Sequence, residues 1–257
     1  MKVFLLNTGL VSITFRKLTP EKIIELVCNA KLQGIEWGGD IHVPHGNIEV
    51  AQSVGRMTRQ AGLNVAAYGS YYRVGESESE QLKFTDVLDS AIALGAPLIR
   101  VWAGRKNSQD ADEVYWNKVV EDAKRIADLA SKHGITIVFE FHDGTLNNVP
   151  QSCVKLLGDV GCENVRTYWQ PMHGAGADKN CIGIDMIMPA ISGVHVFHWW
   201  PDHLVRHLLC EGQSDWQRYI QKFKDSDSNC YLFIEFVKDD DTENFLKDAE
   251  TLKNWVT

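Results

Sequence analysis

Two carboxylates and an imidazole hold the chemistry of this chain. Glu140 ends a short apolar, β-branched run beginning at Ile135, His195 follows Gly-Val, and Glu235 follows Leu-Phe-Ile. A carboxylate at the tip of a buried strand is costly to place without a metal, a charge or a substrate beside it. His142 stands two positions beyond Glu140, on the same side of an extended chain, with Phe139 and Phe141 on the other. Gln170 closes another apolar run and adds a fourth donor, an amide oxygen. Such a set, rich in oxygen and with one imidazole, suits Mn²⁺, Mg²⁺ or Co²⁺ better than the sulfur ligands of structural zinc, and Zn²⁺ stays open. Two rivals remain at this level. Glu140 could form a buried ion pair with Arg100 or Lys106, and His198 competes with His195, three residues away, for the ligand role.

These groups need elements to hold them. Eight apolar runs recur, at residues 3–6, 35–37, 64–68, 98–102, 135–140, 165–169, 194–197 and 231–236, each followed by a stretch with helical spacing. Thr19-Pro20-Glu21 reads as a helix start, with proline at the first helical position and an acid in the first turn. Ser214 and Thr242 read as N-caps of the last two helices. Strands without clean polar alternation indicate a parallel sheet covered on both faces. Eight βα units in 257 residues predict a single (β/α)₈ TIM barrel domain, 1–257, of class α/β. An open doubly wound sheet is disfavoured, because no glycine-rich phosphate turn follows an early strand.

In such a barrel the chemistry sits at the C-terminal strand ends. Those ends bring Glu36, with His42 and His45 in its loop, then Tyr68, Arg100, Trp102, Glu140, His142, Gln170, His195 and Glu235. Tyr68, Trp102, His142 and His198 are candidate substrate contacts, and Glu36 and His42 are candidate groups behind the ligands.

Bulk properties narrow the partners. The formal charge of −8 argues against nucleic acid. A hydrophobic fraction of 44% allows a sizeable core, yet no run approaches the roughly 18 apolar residues of a membrane span. Six cysteines are scattered with no C-x-x-C pair, which suits reduced thiols in a cytoplasmic protein. The expected partner is a small molecule.

Phe139-Glu-Phe-His-Asp-Gly-Thr-Leu, Gln170-x-x-His173, His195 with its polar continuation, Glu211-Gly with Asp215-Trp, and Glu235 together resemble the xylose isomerase-like TIM barrels, the sugar phosphate isomerase/epimerase superfamily. The resemblance implies one divalent metal held by Glu140, Gln170, His195 and Glu235. It also implies that Glu140 and Glu235 exchange protons with the substrate, and that His173 and Arg206 contact it. The implied activity is isomerisation or epimerisation of a small sugar, sugar phosphate or polyol through an enediolate. Family members are often dimers, so a homodimer is one expectation. The family pattern has aspartate where Gln170 stands, and an amide ligates without charge. That departure motivates a second reading, a non-catalytic or divergent sugar-binding barrel with a weakened metal site. An endonuclease IV-like repair enzyme is disfavoured by the charge and by the few candidate ligands in the first half.

Overall fold

A computed structural model describes residues 6–172, 174–226 and 229–257. Eight parallel strands close into a barrel in sequence order. They are β1 (Asn7–Val11), β2 (Gly34–Gly38), β3 (Asn64–Arg73), β4 (Leu98–Trp102), β5 (Thr136–Phe139), β6 (Val165–Trp169), β7 (Ile191–Val196) and β8 (Tyr231–Ile234). Helices α1 (Pro20–Asn29), α2 (Ile48–Gln60), α3 (Phe84–Leu94), α4 (Glu113–Ser131), α5 (Pro150–Val160), α6 (Gly176–Ile187), α7 (Gln213–Asp225) and α8 (Thr242–Val256) follow them in turn. Among the described residues no helix is long and apolar enough to cross a membrane. All six cysteines are free thiols.

Strand alternation divides the core in two. Ile35, Trp37, Ile99, Val101, Ile137, Phe139, Val194, Val196, Leu232 and Ile234 join the large apolar cluster between sheet and helices. Their neighbours point into the barrel, where Val11, Ala67, Val138, Tyr168 and Phe233 form a small second cluster. Glu36, Arg100 and His195 have the same inward parity and are 0%, 1% and 0% exposed. The barrel interior therefore carries charge, and that charge lies toward the C-terminal end.

The first strand differs from its expected place. Residues 3–5 of the expected run lie outside the described residues, and the strand itself is Asn7–Val11. Asn7 and Gly9 look like breakers, but Gly9 answers a close approach. A Cβ there would stand 2.7 Å from the Phe233 ring and 2.8 Å from the Gly34 carbonyl oxygen. The shift brings Ser12, Ile13 and Arg16 to the functional end. Two caps also differ. Asp241, not Thr242, caps α8 by accepting from the amides of Glu243 and Asn244, at 2.8 and 3.0 Å. Helix α7 begins at Gln213 after Gly212, two residues earlier than a Ser214 cap allows. Asp112 caps α4 through the Tyr115 amide at 2.7 Å.

One buried acid lies apart from the barrel interior. Asp248 of α8 is 2% exposed and accepts the Leu209 N–H at 2.8 Å. Burial pushes its carboxyl up to about 6. Below about pH 4 folded and unfolded chains both hold this proton. As pH rises from there to 6 the unfolded chain releases it first, so the group's contribution to stability falls and stays low above pH 6. Asp248→Asn keeps the acceptor without the charge. It is expected to gain about 1–2 kcal/mol at pH 8 relative to its effect at pH 4, read from urea unfolding at the two pH values.

Candidate metal centre and catalytic site

Three donors stand at equivalent places. Glu140, Gln170 and Glu235 are each the first residue after their strand, β5, β6 and β8. The backbone ladder continues through two of them, since the Glu140 N–H donates to the Val101 carbonyl at 2.9 Å and the Glu235 N–H to the Val196 carbonyl at 3.1 Å. Asn147 pins the end of β5 from below, its amide donating to the Glu140 carbonyl at 3.1 Å and the Thr167 hydroxyl at 3.0 Å. His195 comes from within β7.

These side chains meet at the imidazole. Nδ1 of His195 lies 3.2 Å from Gln170 Oε1, 3.3 Å from Glu235 Oε2 and 3.6 Å from Glu140 Oε1. One ligand atom from each of Glu140, His195 and Glu235 lies within 4.8 Å of the others, and all three residues are buried. An octahedral shell with metal–oxygen distances of about 2.1 Å has edges of about 3 Å, close to these separations. His195 stands among the donors, whereas His198 opens onto a different cleft with Asp215, Trp216 and Tyr219.

Behind the donors lies a buried ion network. Arg100 donates through Nε to Glu36 Oε1 at 2.6 Å and through Nη1 to Glu140 Oε2. The Trp102 indole N–H donates to the same Glu140 oxygen. Glu140 thus meets a cation and an indole with one oxygen and turns the other toward the site. Both expected readings of Glu140 hold together, the Arg100 ion pair and the convergence with His195 and Glu235. Lys106 is elsewhere, its ammonium 4.5 Å from the Tyr115 ring centroid.

Electrostatics follow from this geometry. Burial is the largest single influence on the Glu140 carboxyl and tends to raise it, but the Arg100 cation together with His195 and His142 outweighs it and holds the group well below the carboxylate range. Glu36 is lowered in the same way. Burial disfavours the His195 imidazolium, yet the carboxylates of Glu235, Glu140 and Glu36 prevail and raise it well above the usual histidine value. Once the imidazole gives up that extra proton, as a ligating histidine must, three carboxylates (Glu36, Glu140, Glu235) against one guanidinium leave two negative charges around it. A divalent cation balances them, and the residues fit such an ion in donor type, spacing and charge.

The site opens into a cavity of about 200 Å³ lined by Ile13, Arg16, Tyr71, Trp102, His142 and Trp199 beside the donors. A wider cleft of about 470 Å³ shares His142, Gln170, Trp199 and Phe236 with it and extends to Asn148, His203 and Arg206. The Trp102 and His142 rings stack with centroids 4.8 Å apart, and the Arg73 guanidinium lies 3.9 Å from the Trp102 centroid. Tyr71 and Phe236 have φ of +56° and +50°, a conformation that costs a non-glycine residue energy and is found where surrounding structure over-determines it.

The expected substrate contacts separate. Trp102 and His142 line the cavity, and Arg206 lines the wider cleft while donating to Asp240 at 2.5 Å. Tyr68 is corrected. It has outward parity on β3, is 0% exposed and hydrogen-bonds the Val43 carbonyl and His45 Nδ1, both at 2.8 Å. His198 is likewise removed from the donor cavity. His173 lies outside the described residues. Arg16 and Phe236 were not singled out in the sequence. Arg16 follows a strand that begins four residues later than expected, and Phe236 takes its place through a left-handed backbone that no residue type announces.

Gln170→Asp restores a charged donor and is expected to tighten Mn²⁺ binding about tenfold or more in isothermal titration. Arg100→Met leaves Glu36 and Glu140 buried without a cation, and is expected to lose about 3–5 kcal/mol in urea unfolding.

Comparison with known proteins agrees with this fold. A sequence model of the family described as xylose isomerase-like TIM barrel matches residues 24–255. A 3-dehydroshikimate dehydratase of Bacillus anthracis is 30% identical over 82 residues, and that match spans 31% of this chain and only 29% of the relative's length. Among solved structures, the probable 3-DHS dehydratase AsbF of Bacillus anthracis, involved in petrobactin synthesis, aligns over 97% of this chain and 99% of its own, with TM-score 0.82 and 18% identity. A D-psicose 3-epimerase solved with D-fructose aligns over 98% and 99%, with TM-score 0.77 and 17% identity. A xylose isomerase-like TIM barrel protein of Mycobacterium smegmatis in complex with magnesium aligns over 98% and 97%, with TM-score 0.74 and 13% identity. At such identities the structures speak for the fold, and the family match extends over most of the sequence: the chain belongs to the xylose isomerase-like TIM barrel family.

Proposed function

We propose that this protein is a metal-dependent enzyme that removes the proton next to a carbonyl in a small polyhydroxylated substrate, as a sugar isomerase or epimerase does. The observation that carries this reading is the meeting of Glu140 Oε1, Gln170 Oε1, His195 Nδ1 and Glu235 Oε2 beside a cavity at the C-terminal end of the barrel. A divalent ion held by these four residues supplies Lewis-acid polarisation of the substrate carbonyl.

The two glutamates are unequal. Glu140 is held as an anion by Arg100 and Trp102, so its basicity is low and its part is to bind. Among the described residues no guanidinium or ammonium pairs with Glu235, whose near neighbour is His195 Nδ1. Glu235 is therefore the base that takes the carbon-bound proton. Return of that proton to the neighbouring carbon, with the hydroxyl proton passing from the one substrate oxygen to the other, completes a 1,2-shift with one base. Epimerisation needs a second proton donor on the opposite face, and the paired state of Glu140 makes it the weaker partner there. Trp102 and His142 supply a flat wall against which the substrate lies, and Trp199 with Phe236 narrows the entry.

A second reading shares the first step. The resemblance to 3-dehydroshikimate dehydratases supports loss of water. Glu235 takes the α-proton, the C–H electron pair forms the carbon–carbon double bond, and the β-carbon–oxygen bond breaks. The departing hydroxide collects the proton from Glu235 and leaves as water.

Both readings require α-proton removal. In D₂O the Mn²⁺-loaded protein is expected to place deuterium beside the carbonyl of a ketose or a cyclic hydroxyketone, followed by NMR. Glu235→Gln is expected to slow this by about 10²–10⁴-fold. A loss of 18 Da with rising enone absorbance marks dehydration, and unchanged mass with a new stereoisomer marks isomerisation. Full exchange in Glu235→Gln overturns the assignment of the base.

A further inference from the structure

The imidazole that faces the donors has a second side. Nε2 of His195 points into the barrel toward Glu36 Oε2, 3.8 Å away, and neither atom has a hydrogen-bond partner among the described residues. Glu36 is 0% exposed, and its other oxygen is taken by Arg100 at 2.6 Å. Arg100 is in turn fixed by Glu140. Its approach requires a bare backbone at Gly69, where a Cβ would stand 2.7 Å from both Arg100 Nη2 and Glu36 Oε1. The Tyr168 ring closes the remaining side, edge-on to the imidazole at 5.2 Å between centroids.

We propose that Glu36, clamped by Arg100, is the positioning residue that turns His195 so that Nδ1 faces the metal site. The inference rests on the metal reading above but concerns a residue that touches neither ion nor substrate. Flipping the ring about its long axis would exchange both nitrogens for carbons at the two contacts. Nδ1 would leave Gln170 and Glu235, and Glu36 Oε2 would face a C–H. A carboxylate on the far side of a ligating imidazole selects the form with hydrogen on Nε2 and an open lone pair on Nδ1. The geometry also couples the two sides, because one guanidinium holds both the carboxylate that would ligate and the carboxylate behind the histidine. A purely structural Glu36, serving only as counter-ion to Arg100, has no need to place a free oxygen opposite Nε2.

The test uses Glu36→Gln and the wild-type protein. By isothermal titration, Glu36→Gln is expected to bind Mn²⁺ about 10–100-fold more weakly. Its Co²⁺ adduct is expected to show a changed visible absorption, while the metal-free protein still unfolds cooperatively. A metal affinity within twofold of wild type, with an unchanged Co²⁺ spectrum, overturns the proposal and leaves the metal site standing. Should Glu36→Gln not fold, long-range ¹H–¹⁵N spectra of the Mg²⁺-loaded wild type decide. A His195 proton on Nε2 supports the role, and a proton on Nδ1 overturns it. Wild type that binds no Mn²⁺ at millimolar concentration overturns the metal reading and this role together, a result distinct from binding that ignores Glu36.

Discussion

Arg100 holding two glutamates inside the barrel is the interaction on which the rest depends. Its guanidinium is 1% exposed and spans from Glu36 to Glu140. Removing three charges from water is expensive, and only mutual pairing with good geometry makes it tolerable. Arginine suits the position because its planar fork reaches two carboxylates at once and keeps its charge under burial. The neighbouring strands conform to it. Gly69 leaves the space, β2 and β4 point their central charged residues inward, and apolar residues on either side face the helices.

From this clamp the candidate chemistry follows by geometry. Glu140 is committed through one oxygen and free through the other, so it can ligate but is a poor base. Among the described residues no guanidinium restrains Glu235, and on the proposed reading this separates two residues of identical type into holder and proton carrier. His195 stands between them and the Glu36 carboxylate and is turned by both sides. Gln170 lowers the charge of the donor set by one relative to an aspartate. The buried Glu36 partly makes up for that, because it adds a negative charge just behind the imidazole.

Much of this was legible in the residues. Eight apolar runs with helical intervals specify the barrel, and strand ends at Glu140, Gln170 and Glu235 specify three of the donors, because a parallel barrel exposes its chemistry at one end. Strict alternation from the outward Val65 would turn Tyr68 inward; the bulge at Ala66, which lets Glu36 pair with Ala67, is what sends Tyr68 outward. The first strand lies beyond the apolar run at 3–6 and includes Asn7 and Gly9, residue types that resemble a break, and only the packing of Phe233 and Gly34 explains a glycine there. The helix starts at Gln213 and after Asp241 depend on which side chain reaches an open amide, which local composition leaves undecided.

The sequence by itself determined the architecture and the inventory: alternating apolar patterns dictate which face of each strand is buried, and a charged residue on an inward face must find a partner. The tertiary structure alone decided the pairing. Which of Arg100 and Lys106 would meet Glu140, which of His195 and His198 would join it, and that Glu36 would stand behind the imidazole all depend on spatial distances between residues that are 40 (Arg100–Glu140) to 159 (Glu36–His195) positions apart in the sequence. Barrel closure sets those distances, through strand register and tilt, and no local propensity encodes them.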